Sequence, residues 1–123
     1  MIASLPITVL IVDDHPGFRA CARRALELDG WQVVGEAADG LSGVEAAGRL
    51  APELVVLDVG LPDVSGFEAA AQMRRDRTPS AIVFVSTHDA GDFGELARRS
   101  DALGFLPKAE LSGAALVGLL AQR

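Results

Sequence analysis

The chain has 123 residues, of which 50% are apolar, and a formal net charge of −6 at neutral pH. A single cysteine excludes a disulfide-stabilised scaffold, and no apolar run approaches the ~20 residues of a membrane-spanning helix. The negative charge argues against direct binding to nucleic acid. Because the length suits one domain and the first residues lack a signal-peptide pattern, we expect one cytoplasmic domain over residues 1–123, without membrane or nucleic-acid contact.

Five apolar segments predict β-strands, and each is followed by a segment in which apolar residues recur with helical spacing. The predicted strands cover residues 7–12, 31–37, 54–58, 81–85 and 103–106. The predicted helices cover residues 16–29, 41–50, 67–75, 92–99 and 110–121. Such alternation favours parallel strands joined by right-handed crossovers. The sequence therefore predicts an α/β fold in which a five-stranded parallel sheet is doubly wound by five helices.

The same spacing predicts which side of the first and last helices is buried. For the first helix the predicted buried residues are Phe18, Cys21, Ala22, Ala25 and Leu28. For the last helix they are Leu111, Ala114 or Ala115, Leu119 and Leu120. The helix at 92–99 has Gly91 and Gly94 near its start, so it is expected to be the least stable of the five.

The carboxyl ends of the predicted strands carry the side chains best suited to chemistry. Asp13 and Asp14 follow the first strand, Asp58 ends the third, Ser86 follows the fourth, and Lys108 follows the fifth. In a parallel sheet these ends lie along one edge, so the five residues are expected to converge. Lys108 is the only lysine in a chain with ten arginines, which favours a site that needs a compact ammonium group.

These side chains together suit phosphoryl chemistry. Grouped carboxylates repel one another and offer the oxygen ligands that Mg²⁺ prefers, and no cluster of histidines and cysteines indicates zinc or iron. Lys108 offers a positive charge to a phosphate, and Ser86 offers a hydroxyl group. A carboxylate can attack phosphorus to form an acyl phosphate, and Asp58 on the central strand is best placed to do so.

Several short motifs, taken with their spacing over about residues 7–121, carry a family resemblance. They are Asp13-Asp14, Asp58 with Pro62 and Gly66, Ser86-Thr87, and Phe105-Leu106-Pro107-Lys108. This pattern resembles the receiver domain of bacterial two-component response regulators, a flavodoxin-like, CheY-like fold. Three further motifs resemble the NarL/LuxR-type branch, whose members often carry a C-terminal helix-turn-helix domain: Asp14-His15-Pro16, Gly35-Glu36-Ala37 and Gly104-Phe105-Leu106.

The resemblance implies a metal-dependent phosphorylation site. Asp58 would accept the phosphoryl group, and the donor would be a cognate sensor histidine kinase. Asp14 would bind Mg²⁺ directly, Asp13 would help through water, and Asp58 and the backbone carbonyl of Gly60 would complete the protein ligands. Such a domain catalyses only its own phosphorylation and dephosphorylation, so it is not expected to be an enzyme in any wider sense.

The resemblance also implies a switch. Ser86 would move toward the phosphate, Phe105 would move inward into the space that Ser86 leaves, and Lys108 would pair with the phosphate. The face formed by the fourth helix, fifth strand and fifth helix would then respond, and it would control transcription if a C-terminal DNA-binding domain follows. A homodimer contact through the first or last helix stays open.

Two other interpretations of the pattern stay open. A stand-alone or degenerate receiver would act through protein–protein contact alone, although all the expected functional residues are present. An Mg²⁺-dependent phosphatase using an aspartyl-phosphate is less favoured, because Gly60 stands where such enzymes place a second acid and the chain leaves no room for a substrate cap. Gly60 and His88 stand at positions that commonly influence how fast the phosphate is lost, so its lifetime stays open. His15 is expected beside the site rather than as a ligand. Asp101 is expected in a left-handed turn.

Overall fold

The structure is a computed structural model that describes residues 7–87, 95 and 99–121. Its strands are β1 (Thr8–Val12), β2 (Gln32–Ala37), β3 (Leu54–Asp58), β4 (Ala81–Ser86) and β5 (Gly104–Pro107). All neighbouring strands are parallel, and their order in the sheet is β2-β1-β3-β4-β5. The predicted five-stranded parallel sheet is confirmed, and the predicted strand ends differ from the observed ones by at most one residue.

Helices cover both faces of this sheet. The first face carries α1 (Pro16–Leu28) and the C-terminal helix (Gly113–Ala121), and the second carries α2 (Gly40–Leu50) and α3 (Gly66–Arg75). The predicted helix at 92–99 lies mostly outside the described residues; Glu95 and Arg99 are described, and both are helical. The doubly wound architecture is thus confirmed with four helices in the described part of the chain, where no helix has the length and apolarity to cross a membrane.

The strand β3 lies in the middle of the sheet because its side chains are apolar on both faces. Leu54, Val55, Val56 and Leu57 have no exposed surface, and side-chain alternation sends them in turn to the cores beneath the two helical layers. The chain passes from β1 to the edge strand β2 and returns on the other side of β1 to form β3. The carboxyl ends of β1 and β3 therefore form the topological switch point, where α/β sheets commonly bind ligands.

The predicted buried side of α1 is confirmed at Phe18 and Ala22 but is wrong at the other three predicted residues, because the covered stripe is rotated about the helix axis. Ala22 and Leu26, four residues apart, form its buried centre, whereas Cys21 and Ala25 are exposed and Leu28 is 77% exposed. Successive residues turn by about 100° around a helix, so residues only one or two positions from the buried stripe point away from it. Periodicity located the helix, but packing against the sheet chose which stripe is covered.

The C-terminal helix begins three residues later than predicted and buries a different side chain. A short 3₁₀ helix, Lys108–Glu110, precedes it, and the hydroxyl of Ser112 accepts a hydrogen bond from the N–H of Ala115 at 3.0 Å, which caps its first turn. The fully buried residue is Leu116, which the sequence did not single out, whereas Ala114 is exposed. The predicted core residues that are partly buried against the same core are Leu111, Leu119 and Leu120.

The second half of the loop between β3 and α3 is anchored by two sets of hydrogen bonds. The carboxylate of Asp63 accepts hydrogen bonds from the N–H groups of Gly40 and Leu41, at 2.8 and 2.9 Å, at the start of α2. The N–H of Leu41 is the main cause that lowers the pKa of Asp63. Two residues later, Ser65 and Glu68 form a capping box that starts α3. These contacts hold in place the loop that follows the end of β3.

The turn before β5 contains the expected left-handed residue. Asp101 has a φ of 57°, a conformation that aspartate adopts more readily than most residues. Its carbonyl oxygen accepts a hydrogen bond from Nη2 of Arg74 at 3.4 Å, which ties the turn to the end of α3.

Candidate functional site

Three carboxylates meet where β1 and β3 end. Asp13 has no exposed surface, Asp58 is 4% exposed, and Asp14 is partly buried. One ligand atom from each of them and one from His15 all lie within 4.8 Å of one another. The residues come together because β1 and β3 are neighbouring parallel strands whose carboxyl ends share one edge. The structure thus contains the acidic cluster that the strand pattern predicts.

Lys108 lies across this cluster. Its Nζ atom is 2.6 Å from Oδ2 of Asp13 and 3.4 Å from Oδ2 of Asp58, and its side chain is only 11% exposed. The lysine directly follows β5, so its ammonium group reaches the carboxylates from the far side of β4. Two buried negative charges therefore share one positive charge.

Asp58 occupies an environment that disfavours its charged form. Burial raises the pKa of Asp58 above its ordinary value, and the negative charge of Asp13 raises it further, while Lys108 and the N–H of Gly60 act in the opposite direction. That N–H donates to Oδ1 of Asp58 at 3.2 Å. The positive charge of Lys108 therefore does not fully offset the cost of ionising Asp58. A cation bound beside Asp58 would favour its carboxylate form.

The composition of the cluster fits a hard divalent cation. Carboxylate oxygens are the protein donors that Mg²⁺ prefers, and Asp13, Asp14 and Asp58 supply them within a short distance. Oδ1 of Asp14 is buried and accepts no hydrogen bond, although Nδ1 of His15 lies 3.2 Å away. A buried polar atom without a partner is costly, and a bound cation would remove that cost. These residues can therefore hold a metal ion.

Three further residues near the carboxylates were named from the sequence, and the structure describes two of them, His15 and Gly60. The side chain of His15 is 65% exposed, and both its Nδ1 and its backbone N–H lie beside Oδ1 of Asp13, at 3.1 and 2.8 Å. Gly60 is exposed, and a methyl group added there would meet no atom within 4 Å. His88 lies outside the described residues.

Ser86 and Phe105 lie on neighbouring strands near the same edge of the sheet. Ser86 ends β4 and is 4% exposed, while Phe105 is partly buried in β5. Phe84 is paired with Phe105, and Ser86 is paired with Pro107. Because alternate residues of a strand share a face, Ser86 and Phe105 lie on the same face of the sheet, two residues apart in register.

Two residues of α1 contact the site in a way that the sequence did not predict. The Nζ atom of Lys108 lies 4.7 Å from the centroid of the Phe18 ring. Nη1 of Arg19 donates a hydrogen bond to the carbonyl oxygen of Asp13 at 2.7 Å. Helical spacing assigned Phe18 to the core and gave no role to Arg19. Both residues lie in the first turn of the helix that follows Asp13 and Asp14, and this position could have indicated that they lie beside the site.

The fold and the cluster agree with a known protein family. A family model described as the response regulator receiver domain matches residues 9–118 of the chain. The chain belongs to the response regulator receiver domain family. The resemblance stated from the sequence motifs is thereby confirmed, and the chain is a receiver domain of the two-component type.

Relatives of this receiver domain include transcriptional regulators of the NarL/LuxR type. It is 41% identical over 86 residues to the nitrate/nitrite response regulator protein NarP of Escherichia coli (strain K12), a match that covers 69% of this chain and 40% of NarP. Among solved structures, the signal receiver domain of NarL from Mycobacterium tuberculosis has a TM-score of 0.85 and 32% identity, covering 97% of this chain and 96% of that one. A LuxR-family response regulator from Aurantimonas sp. SI85-9A1 has a TM-score of 0.86 and 32% identity, covering 96% and 87%. The chain spans about half the length, or less, of the curated relatives it matches.

Proposed function

We propose that this receiver domain is phosphorylated on Asp58 in an Mg²⁺-dependent reaction and acts as a two-state signalling switch. The observation that carries the proposal is the position of Lys108, whose Nζ lies 2.6 Å from Asp13 and 3.4 Å from Asp58. A buried carboxylate beside a fixed ammonium group suits a residue that gains a phosphoryl group. The modification adds a charge of about −1.5 to −2, which Lys108 and a divalent cation would balance.

In this reaction a carboxylate oxygen of Asp58 attacks phosphorus and forms an acyl phosphate. When the donor is a phosphohistidine of a cognate sensor kinase, the phosphorus–nitrogen bond breaks and the imidazole leaves with the electron pair. The carboxylates of Asp13, Asp14 and Asp58, with the backbone carbonyl of Gly60, would hold Mg²⁺, Asp13 acting through water. The ion, when bound, supplies positive charge to the phosphoryl oxygens. Lys108 provides the protein's own positive charge and orients the transferred group.

The proposed response passes through Ser86 and Phe105. Ser86 donates a hydrogen bond to the phosphoryl group and moves toward it, and Phe105 moves inward into the space that Ser86 leaves. These roles are supported by the positions of the two residues, which lie on the same face of neighbouring strands and two residues apart in register. The change biases an existing two-state equilibrium and alters the face formed by the fourth helix, β5 and the C-terminal helix. That face controls the output.

The similarity to NarP and to a LuxR-family regulator supports a role in the control of transcription. In this proposal residues 1–123 form the single receiver domain of a cytoplasmic regulator, which controls transcription if a C-terminal DNA-binding domain follows. The cognate sensor histidine kinase is the phosphodonor, and homodimer formation stays an open alternative. The receiver catalyses the gain and loss of its own phosphoryl group and acts on no other substrate.

Phosphorylation by a small phosphodonor tests the proposal. The chain is incubated with acetyl phosphate and Mg²⁺, and the acyl phosphate is detected as a hydroxylamine-sensitive mass increase. We expect labelling of the wild type, no labelling of Asp58→Asn, and no labelling in EDTA. Asp76→Asn is the matched control, because Asp76 is exposed and lies at the end of α3, so it should label normally.

Two outcomes would contradict the proposal in different ways. Equal labelling of the wild type and Asp58→Asn would remove Asp58 as the acceptor. Absence of labelling in the wild type, even with its own kinase, would favour a degenerate receiver that acts by protein–protein contact alone.

A further inference from the structure

An aromatic ring forms one side of the Lys108 environment. Phe18 lies in the first turn of α1, is partly buried, and packs against the core beneath that helix. The Nζ atom of Lys108 lies 4.7 Å from the centroid of its ring, and Nζ also lies beside Oδ2 of Asp13 and Oδ2 of Asp58. The ammonium group is therefore held between two carboxylates and one aromatic face.

The three neighbours act differently on the lysine. Lysine carries a compact charge on a flexible four-carbon stem, so its ammonium group must be restrained if it is to meet a particular oxygen. The carboxylate of Asp13 attracts it strongly but also draws it away from Asp58, which is 0.8 Å farther from Nζ (3.4 against 2.6 Å). A ring face attracts a cation through its quadrupole without carrying a net charge. It can hold the ammonium group in the site without competing as an anion for it.

We propose that Phe18 is a positioning residue for Lys108, and that its ring holds the ammonium group where it meets the phosphoryl group on Asp58. The inference rests on the proposed function, in which Lys108 pairs with that group. The next residue of α1 supports a positioning role for this turn, because Nη1 of Arg19 donates to the carbonyl oxygen of Asp13 at 2.7 Å. The first turn of α1 thus contacts Lys108 through Phe18 and the backbone of Asp13 through Arg19.

Plain packing is the competing explanation, because Phe18 also touches apolar core residues. Two substitutions separate the explanations. Phe18→Leu keeps an apolar side chain and removes the aromatic face, whereas Phe18→Tyr keeps the face. If packing alone matters, the leucine variant should resemble the wild type at least as closely as the tyrosine variant does. If the ring positions the lysine, the tyrosine variant should keep the wild-type rate of acyl phosphate formation, and the leucine variant should be slower.

The kinetic test is a double-mutant cycle on the rate of acyl phosphate formation from acetyl phosphate with Mg²⁺. We expect Phe18→Leu to lower this rate roughly 3- to 10-fold, the range that a partly desolvated cation–π contact supports, and Phe18→Tyr to stay within about 2-fold of the wild type. In a Lys108→Ala background, Phe18→Leu should have no further effect. An equal loss from Phe18→Leu with and without Lys108 would overturn the proposal. Far-UV circular dichroism confirms that each variant is folded.

A second test does not depend on phosphorylation. Lys108 is the only lysine in the chain, so lysine labelled with ¹³C at Cε gives a single side-chain NMR signal. The ring of Phe18 should shift the Cε protons of Lys108 upfield. This shift should vanish in Phe18→Leu and persist in Phe18→Tyr. Identical Lys108 shifts in all three proteins would overturn the contact itself. A different result is also informative: the ring-dependent shifts are seen, but the wild type forms no acyl phosphate. That result would contradict the proposed function, and the contact between Phe18 and Lys108 would then position no phosphoryl group.

Discussion

Gly66 controls how closely α3 approaches the end of β3, and its replacement by alanine should destabilise the domain. The N–H of Gly66 donates to the carbonyl oxygen of Val59 at 2.8 Å. A Cβ atom at this position would lie 2.9 Å from the Cα of Val59 and closer still to the carbonyl oxygen of Asp58. Ordinary contacts between carbon atoms are about 3.5–4.0 Å, so the helix or the strand end must move by roughly 0.5–1 Å. Overpacking against backbone typically costs about 1–3 kcal/mol.

The effect is measured by urea unfolding followed by far-UV circular dichroism. We expect Gly66→Ala to lower the free energy of unfolding by about 2 kcal/mol at an unchanged m-value. The displaced strand end carries Asp58, so the rate of acyl phosphate formation should fall in the same variant. Both effects have one physical origin, which is the lack of space between the first turn of α3 and the backbone of residues 58–59.

Gly48→Ala is the matched control, because it makes the same chemical change in an open place. Gly48 is exposed in α2, and an added Cβ meets nothing within 4 Å. Alanine should therefore stabilise the helix by about 0.5–1 kcal/mol. If Gly66→Ala stays within about 0.5 kcal/mol of the wild type while Gly48→Ala is stabilising, α3 can move away from Asp58 freely and the reasoning is wrong.

Three further predictions follow from single contacts. Burial raises the pKa of Asp58, so the folded domain binds a proton on this carboxylate more tightly than the unfolded chain does. The free energy of unfolding therefore falls as pH rises from the ordinary pKa of aspartate through the raised pKa. In EDTA at pH 7, Asp58→Asn should therefore show a higher urea midpoint than the wild type, and a lower midpoint would contradict this sign. Ser65→Ala removes the capping box of α3 and should cost about 1 kcal/mol in a thermal or urea melt; no measurable loss would mean that α3 starts without its cap. Leu116→Ala opens a cavity at a fully buried position and should cost about 2–5 kcal/mol, whereas Val117→Ala, at a side chain 52% exposed, should change stability by less than about 0.5 kcal/mol. Equal effects of the last two would show that the C-terminal helix does not pack as described.

The sequence by itself determined the sheet and the location of its chemistry. The run Leu54–Asp58 is apolar on both faces, which requires a central strand, and the carboxylate that ends it must then lie at the sheet edge. The same pattern placed Asp13, Asp14 and Lys108 along that edge. These predictions succeeded because strand alternation and strand ends are local properties of a chain, and parallel pairing brings all the ends to one side.

Only the tertiary structure decided which neighbours these residues have. Periodicity identified α1 but not the rotation that buries Leu26 and exposes Leu28, because the covered stripe depends on how the helix packs against the sheet. It likewise did not predict that Lys108 bridges two carboxylates in contact with the Phe18 ring. Those distances depend on the relative placement of α1, β1, β3 and β5, which are far apart in sequence. Local spacing has no information on that placement, since it results from the packing of the whole core.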